Sequence, residues 1–272
     1  MMDDMMKTAV GSDDWEYEVW IAEHLTPEVL EQARALPLRR DIITLLTYVR
    51  DNKITGAKTS GNCPRKVIRE LAPLFVEPPV LDEQIGDKVF SLRTEYDVWP
   101  LYFRHLLAEI GDLVTGGPAR RIRLTGEGAR FLEVDPLQQT LTLLTVWWFR
   151  VNWLVAFSAF DLGEFLPDDF ELITLDRMRM LPVGRRTDFR PFAESLILRT
   201  GFGRDVVDSE MNRGILMNAV RRMVLQPCAD FGIVELESNR YDPWLPPELV
   251  AFSVTPFGRA LLNALALLSR DA

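Results

Sequence analysis

The chain of 272 residues contains only two cysteines, Cys63 and Cys228, and only two histidines, His24 and His105. The cysteines form no C-x-x-C pair, so neither a disulfide framework nor a cysteine-rich zinc site is expected. Two histidines are too few for an ordinary multi-histidine metal site. We therefore predict no metal and no cofactor, and we expect both thiols to be small buried groups in a reducing cytoplasm.

Motifs for catalysis and nucleotide binding are also missing. The sequence has no G-x-x-x-x-G-K-[ST] loop, and the glycine-containing stretches at 125–129 and 200–204 lack the G-x-G-x-x-G frame with a following acid. No nucleophile has a candidate base beside it. The carboxylates of Asp168, Asp169 and Glu171 are typical of a solvated helix start. The sequence therefore predicts a protein that is not an enzyme.

A signal peptide and an unbroken membrane span are absent as well. The first residues, MMDDMMKTAV, are acidic where a signal peptide needs a basic end. Residues 141–160 are long enough to cross a bilayer, but Arg150 alone costs roughly 2.5 to 3.5 kcal/mol against the roughly 3 to 6 kcal/mol that the apolar side chains contribute. Both flanks are acidic. We predict a buried helix with Trp147, Trp148 and Trp153 in the core, and no membrane contact.

Basic charge is scarce and unevenly distributed along the chain, whose net charge is −9. Residues 1–35 hold two basic and nine acidic groups, and residues 136–175 hold one and five. Residues 36–135 (15 and 14) and 176–272 (13 and 12) are nearly balanced, so each can present a local basic face. No lysine follows Lys88. The arginines suit phosphate contacts, although a GC-rich codon bias produces the same composition.

These patterns predict a mainly α fold with small β-hairpins, divided into four segments. An acidic arm at 1–35 precedes a first unit at 36–135. A central apolar helix and its linker at 136–175 then lead into a second unit at 176–272. We expect the two units to clasp the central helix.

The order of elements predicted for the first unit recurs in the second. Apolar periodicity predicts helices at 38–52, from about 62 to 75, and at 98–110, with a loop or arm at 76–95. A hairpin and a helix capped by Thr125 follow. The spacing of Thr125, Gly128 and Leu132 is repeated by Thr255, Gly258 and Leu262. We interpret this match as a degenerate duplication.

The strand GDLV, an arginine-rich turn and the pattern LT-x-x-G-x-x-x-L resemble the wing of winged helix-turn-helix domains, as in regulators of the multiple-antibiotic-resistance type. The resemblance covers about 36–135 and, less fully, 190–268. The basic stretch at Thr59, Gly61, Asn62, Pro64, Arg65 and Lys66 is similar to winged N-terminal domains of repair-type helicases. The resemblance implies that the helix before each wing enters the DNA major groove and that the wing contacts the backbone or the minor groove.

The two helices expected in the recognition position differ in what they offer to DNA. WPLYFRHLLAEI presents only Arg104 and His105 as polar contacts, whereas a base reader usually presents several polar side chains. NRGILMNAVRRMVL is richer in such groups. The predicted DNA contacts are therefore Arg120, Arg121 and Arg123 on the first wing, Lys58, Arg65, Lys66 and Arg69 before and on the helix near 62–75, and Arg213, Arg221 and Arg222 in the second unit.

We predict that the protein binds double-stranded DNA through contacts with the DNA backbone. Transcriptional regulation is one role that such binding could serve. A solvated turn explains the wing arginines nearly as well, and a solvent-facing helix flank explains the second basic group equally well. The alternative function is a protein–protein adaptor on a winged scaffold, with Tyr241 and Trp244 in an exposed aromatic patch. A third reading is the accessory portion of a nucleic-acid enzyme whose motor lies on another chain.

Overall fold

The computed structural model describes residues 26–85, 88–156, 166–203, 210–239 and 248–268. Within these ranges the chain is mainly helical, with small antiparallel sheets, as the sequence predicts. No helix among the described residues is both long and apolar enough to cross a membrane.

The end of the predicted acidic arm is a packed helix. Helix α1 (Pro27–Ala35) and helix α2 (Pro37–Asp51) each begin with a proline, whose missing N–H needs no partner in a first helical turn. Val29 and Ala33 of α1 are buried. The buried Arg39 donates from Nε to the carbonyl of Ala33 at 2.9 Å, and so satisfies the C-terminal end of α1. The arm thus ends in a helix of the folded body.

The first unit continues with short strands and helices. They are β1 (Ile54–Thr55), α3 (Arg65–Leu71), β2 (Asp82–Ile85), β3 (Lys88–Ser91), α4 (Trp99–Ile110), β4 (Val114–Thr115), β5 (Arg121–Leu124) and α5 (Gly126–Phe131). Strand β5 lies between β1 and β4 in an antiparallel sheet. Strands β2 and β3 form a separate hairpin, where the sequence predicted a loop or arm.

Three details of the first unit differ from the sequence prediction. Helix α3 begins three residues later than expected, with Pro64 in the N-cap position. The segment after α3 tightens into a 3₁₀ turn at Ala72–Leu74. The first strand of the wing covers only Val114–Thr115, since the residues before it close the end of α4.

The central apolar segment is a broken helix. Helix α6 (Pro136–Thr145) continues as a π-helical turn at Val146–Arg150, and a short helix α7 (Trp153–Ala156) follows. The tryptophans at 147, 148 and 153 are buried, which confirms the predicted core. Arg150 lies at the surface and pairs with Asp112 at 2.7 Å, so its charge stays outside the apolar interior.

The second unit also combines helices with a three-stranded antiparallel sheet. It contains α8 (Phe170–Met180), β6 (Thr187–Asp188), α9 (Phe189–Thr200), α10 (Glu210–Val220), a π-helical turn (Arg221–Leu225), α11 (Gln226–Asp230), β7 (Val234–Asn239), β8 (Glu248–Val254) and α12 (Pro256–Leu268). Strand β8 lies between β6 and β7. In both sheets, the last strand of the unit is therefore the central one.

The joint between sheet and last helix is built in the same way in both units. The Thr125 hydroxyl accepts the Gly128 N–H at 2.9 Å, and the Thr255 hydroxyl accepts the Gly258 N–H at 2.7 Å. A Cβ at Gly128 would lie 2.1 Å from the carbonyl oxygen of Leu113. The corresponding Cβ at Gly258 would lie equally close to a backbone carbonyl. The glycines are required because backbone from another segment occupies the space of a side chain.

Helix α4 of the first unit packs against the central segment and against the second unit. The Phe103 ring meets Trp147 edge-on at 5.1 Å and Phe231 edge-on at 6.2 Å. Trp147 in turn stacks on Trp153 at 5.2 Å. These aromatic contacts join α4, the central segment and the end of α11 in one apolar interior.

One buried ion pair and one partly buried carboxylate lie beside this interior. Arg104 donates from Nε to Asp41 at 2.9 Å, and both side chains are buried. Asp230 accepts a hydrogen bond from Trp99 Nε1 at 3.1 Å. Burial raises the pKa of Asp230 to about 6, although Arg104 and the Trp99 hydrogen bond oppose the rise and the charges of Asp41 and Glu77 add to it.

Substitution of Gly128 tests the joint between the first sheet and α5. Because a new Cβ would collide with the Leu113 carbonyl, we expect Gly128→Ala to lower the free energy of unfolding by about 1–3 kcal/mol. Gly126→Ala, in the same helix, is the matched control, since no atom lies within 4 Å of the position that its Cβ would occupy. Urea unfolding measures both. Equal stability of the two variants would contradict the proposed collision.

A second prediction concerns the pH dependence of stability. The folded chain keeps the Asp230 proton up to about pH 6, whereas the unfolded chain loses it near pH 4. The stabilisation from this proton therefore decreases as the pH rises from about 4 to 6. We expect Asp230→Asn to raise the free energy of unfolding at pH 7.5 by about 1–3 kcal/mol, with the difference shrinking towards pH 4.

Urea unfolding at pH 4.5 and pH 7.5 measures this effect. Asp168→Asn, at an exposed position, changes the charge equally and is expected to leave stability nearly unchanged. A lower free energy of unfolding for Asp230→Asn at pH 7.5 would show that the charged carboxylate does not destabilise the fold.

Candidate nucleic-acid interface

The turn of the first wing is held by backbone packing. Gly56 donates its N–H to the carbonyl of Arg120 at 2.8 Å. A Cβ at Gly61 would lie 2.7 Å from the carbonyl carbon of Gly117, and one at Gly56 would lie 2.8 Å from its oxygen. Gly117 itself has a φ of 128°, which favours glycine. The loop at 56–61 therefore supports the wing turn directly.

The wing presents three exposed arginines. Arg121 and Arg123 lie on the outer face of β5, because the side chains of a strand alternate and Ile122 between them is buried. Their antiparallel partners are the exposed Thr55 and Thr115. Arg120 lies in the turn before the strand and is also exposed.

Two lysines extend this basic surface. Lys58 lies exposed in the loop that packs on the wing turn, so the structure places it with the wing rather than with α3. Lys53, also exposed, directly precedes β1. The sequence analysis did not single out Lys53. The signal that could have identified it is its place directly before β1, which pairs with the arginine-bearing strand β5. We call Lys53, Lys58, Arg120, Arg121 and Arg123 the wing cations.

The wing cations have no ion-pair partner in the described part of the chain. No carboxylate of a described residue lies within the 4.0 Å limit for an ion pair from any of them. Their charge is therefore available for an anionic ligand, whose oxygens the guanidinium and ammonium groups bind by charge-assisted hydrogen bonds.

The basic flank of α3 differs from the wing because its charges are largely engaged. Arg69 binds Asp82 through two hydrogen bonds of 2.8 and 3.0 Å, and this contact lowers the pKa of Asp82. Lys66 lies 3.9 Å from Glu70. Arg65 donates to the carbonyl of Arg93 at 3.0 Å. Neighbouring carboxylates thus partly neutralise the positive charge of this exposed flank.

Helix α4 does not offer the recognition surface that the family resemblance implied. Arg104 and His105, its expected polar contacts, are both buried. Within α4 only Glu109 is well exposed, and its charge repels phosphate. His105 Nδ1 lies 2.9 Å from Glu95; burial opposes its protonation, but the Glu95 carboxylate raises the pKa of His105 well above its usual value. The partly exposed face of the helix, formed by Tyr102, Leu106 and Glu109, offers no basic side chain to a groove.

The second unit contains a surface groove of about 710 Å³ between the start of α9, helix α10 and strand β8. Its polar lining includes Arg213 and Arg221 together with Asn218, which accepts a hydrogen bond from Arg221 at 3.2 Å. Burial and the neighbouring Arg222 lower the pKa of Arg221. Arg213 is exposed, and Arg222 is half-buried in the π-helical turn.

Two further arginines line this groove and were missed by sequence reasoning. Arg186 is bound by the carboxylates of Asp188 and Glu237. Arg190 pairs with Glu194 at 3.3 Å. Since no described carboxylate lies within ion-pair distance of Arg213 or Arg221, these two residues carry the free positive charge of the groove.

The predicted partner-binding residues Tyr241 and Trp244 lie outside the described residues. The strands before and after them, β7 and β8, pair with each other from Val234 and Val254 to Asn239 and Glu248.

In comparisons with known proteins, no family model, no curated protein and no solved structure matches this chain.

Proposed function

We propose that the protein binds double-stranded DNA, without catalysis, through two winged-helix units in tandem. The first unit contacts the phosphate backbone with its wing cations, and the second contacts it with the arginines of the α10 groove. The two buried free thiols suit the reducing cytoplasm in which such a protein would act.

The order of elements supports the winged-helix assignment. Each unit runs helix, strand, helix, helix, hairpin, helix, with the β2–β3 hairpin inserted before α4 in the first unit and a π-helical turn and α11 added after α10 in the second. In each sheet the first strand pairs with the last. The identical threonine–glycine joints after both hairpins support a common origin of the two units. A winged-helix unit presents its hairpin beside a helix, and this places cationic side chains along a duplex.

The wing cations are the observation that carries the DNA proposal. Five cationic side chains occupy adjoining parts of β1, the 56–61 loop and β5, and none has a described carboxylate within ion-pair distance. A folded chain with a net charge of −9 has an excess of acids with which to neutralise surface cations. That no described carboxylate pairs with these five favours an external anion as their partner.

The expected binding mode is contact with the backbone, with little reading of sequence. Phosphate contacts position a protein on DNA, whereas base edges must be reached to specify a sequence. The exposed part of helix α4 carries no basic side chain, so we expect this helix to make no base contacts. In the second unit, Arg213 and Asn218 on α10 are exposed and can approach base edges.

The double variant Arg120→Ala/Arg121→Ala tests this function. Each lost phosphate contact removes one released counterion, so we expect the slope of log K against log salt to become shallower by about 2. At low salt, we expect the affinity to fall roughly tenfold or more. Fluorescence anisotropy of a short labelled duplex, titrated at several salt concentrations, measures both quantities.

The matched control is Arg34→Ala/Arg130→Ala, which changes the net charge equally. Both control arginines are exposed, and each is paired with a glutamate one helical turn away. We expect this control to bind DNA with the slope of the parent chain. Absent binding by the parent chain at low salt, or equal losses in the two double variants, would remove the proposal.

An adaptor that binds another protein is the second candidate function. Its supporting observation is the exposure of large apolar side chains in the second unit, including Leu198 at 82% and Met180 at 75%. Exposed apolar surface is typical of protein contacts. A chain that ignores duplex DNA but forms a complex sensitive to Leu198→Glu would favour this function, and co-purification with an ATPase would favour an accessory role in a nucleic-acid enzyme.

A further inference from the structure

Three side chains that can ligate a metal converge inside the first unit. Cys63 lies in the loop before α3, Glu95 begins the 3₁₀ turn after the β2–β3 hairpin, and His105 lies on α4. The Cys63 Sγ is 3.9 Å from His105 Nδ1, which is 2.9 Å from Glu95 Oε1. Their ligand atoms all lie within 4.8 Å of one another, and all three residues are buried.

Separate segments of the chain hold these side chains in place. The second carboxylate oxygen of Glu95 accepts the N–H of Cys63 at 2.7 Å, although the two residues are 32 positions apart. The turn that carries Glu95 is fixed by a capping box between Thr94 and Asp97. His105 is held by the burial of α4. The donor set therefore depends on tertiary structure rather than on a local motif.

We propose that Cys63, Glu95 and His105 bind a zinc ion. A thiolate, a carboxylate and a neutral imidazole together carry a charge of −2, which a divalent cation neutralises inside an apolar interior. Sulfur and imidazole ligands favour zinc over magnesium or calcium. Three protein ligands leave the fourth position of a tetrahedral zinc ion to water.

The distances between the ligand atoms suit this ion. Zinc bonds of about 2.3 Å to sulfur and about 2.0–2.2 Å to nitrogen and oxygen imply ligand atoms roughly 3.4 to 3.6 Å apart in a tetrahedral site. The separations of 3.9 and 2.9 Å bracket these values. Small side-chain rotations are then sufficient, with the cation replacing the direct hydrogen bond between Glu95 and His105.

The site joins three segments of the first unit. It links the loop before α3 to the 3₁₀ turn after the β2–β3 hairpin and to α4. Cys63 lies two residues after Gly61, and Gly61 packs on the wing turn. A bound zinc ion would fix the base of the wing, and the proposal stands whether or not the wing binds DNA.

Cobalt substitution tests the site in the full chain. After chelation and under a reductant that does not bind metals, we expect one Co²⁺ per chain to produce a thiolate-to-cobalt charge-transfer band that Zn²⁺ abolishes. Cys63→Ser should lose the band. Cys228→Ser is the matched control, because Cys228 is equally buried but belongs to no group of ligands among the described residues, and it should keep the band.

Thermal unfolding of the parent chain gives an independent measurement if Cys63→Ser does not fold. At Zn²⁺ about 100-fold above the dissociation constant, we expect Tm to rise by about 5 °C or more over the chelated protein. The proposal is overturned by an absent charge-transfer band, by a band that persists in Cys63→Ser or disappears in Cys228→Ser, or by a Tm that Zn²⁺ leaves unchanged.

Discussion

The burial of helix α4 is the constraint on which the rest of the structure depends. Its apolar face fills the space between the two units, where Phe103 meets Trp147 and Phe231. This position forces Arg104 into the interior as well, and its charge is tolerated because Asp41 accepts a hydrogen bond from it. Removing either partner would leave a buried charge without compensation, so the packing of the units and this ion pair stabilise each other.

The same burial determines which surfaces remain for a ligand. The cations of the proposed interface lie before β1, on the 56–61 loop and on the wing, and glycine contacts hold the loop against the wing. The flank of α3 has a similar composition but a different chemistry, because Asp82 and Glu70 engage its charges. Unpaired charge, more than basic composition, distinguishes the proposed interface from ordinary surface.

The proposed zinc site is a second consequence of the position of α4. His105 faces inward from this helix and meets groups from two other segments, one of which also supports the wing. Helix α4 therefore contributes to the apolar interior between the units and, within the first unit, to a buried polar cluster. Polar clusters in an apolar interior must be satisfied internally, here by the hydrogen bonds among Cys63, Glu95 and His105.

The sequence by itself determined the helical class, the tryptophan core of the central segment and the threonine caps at Thr125 and Thr255, because apolar periodicity and capping are local properties. It also singled out the wing arginines. Only the tertiary structure decided that α4 is buried, that Arg69 is neutralised by Asp82, and that Cys63, Glu95 and His105 meet. Those outcomes depend on contacts between residues distant in the chain, which no local pattern records.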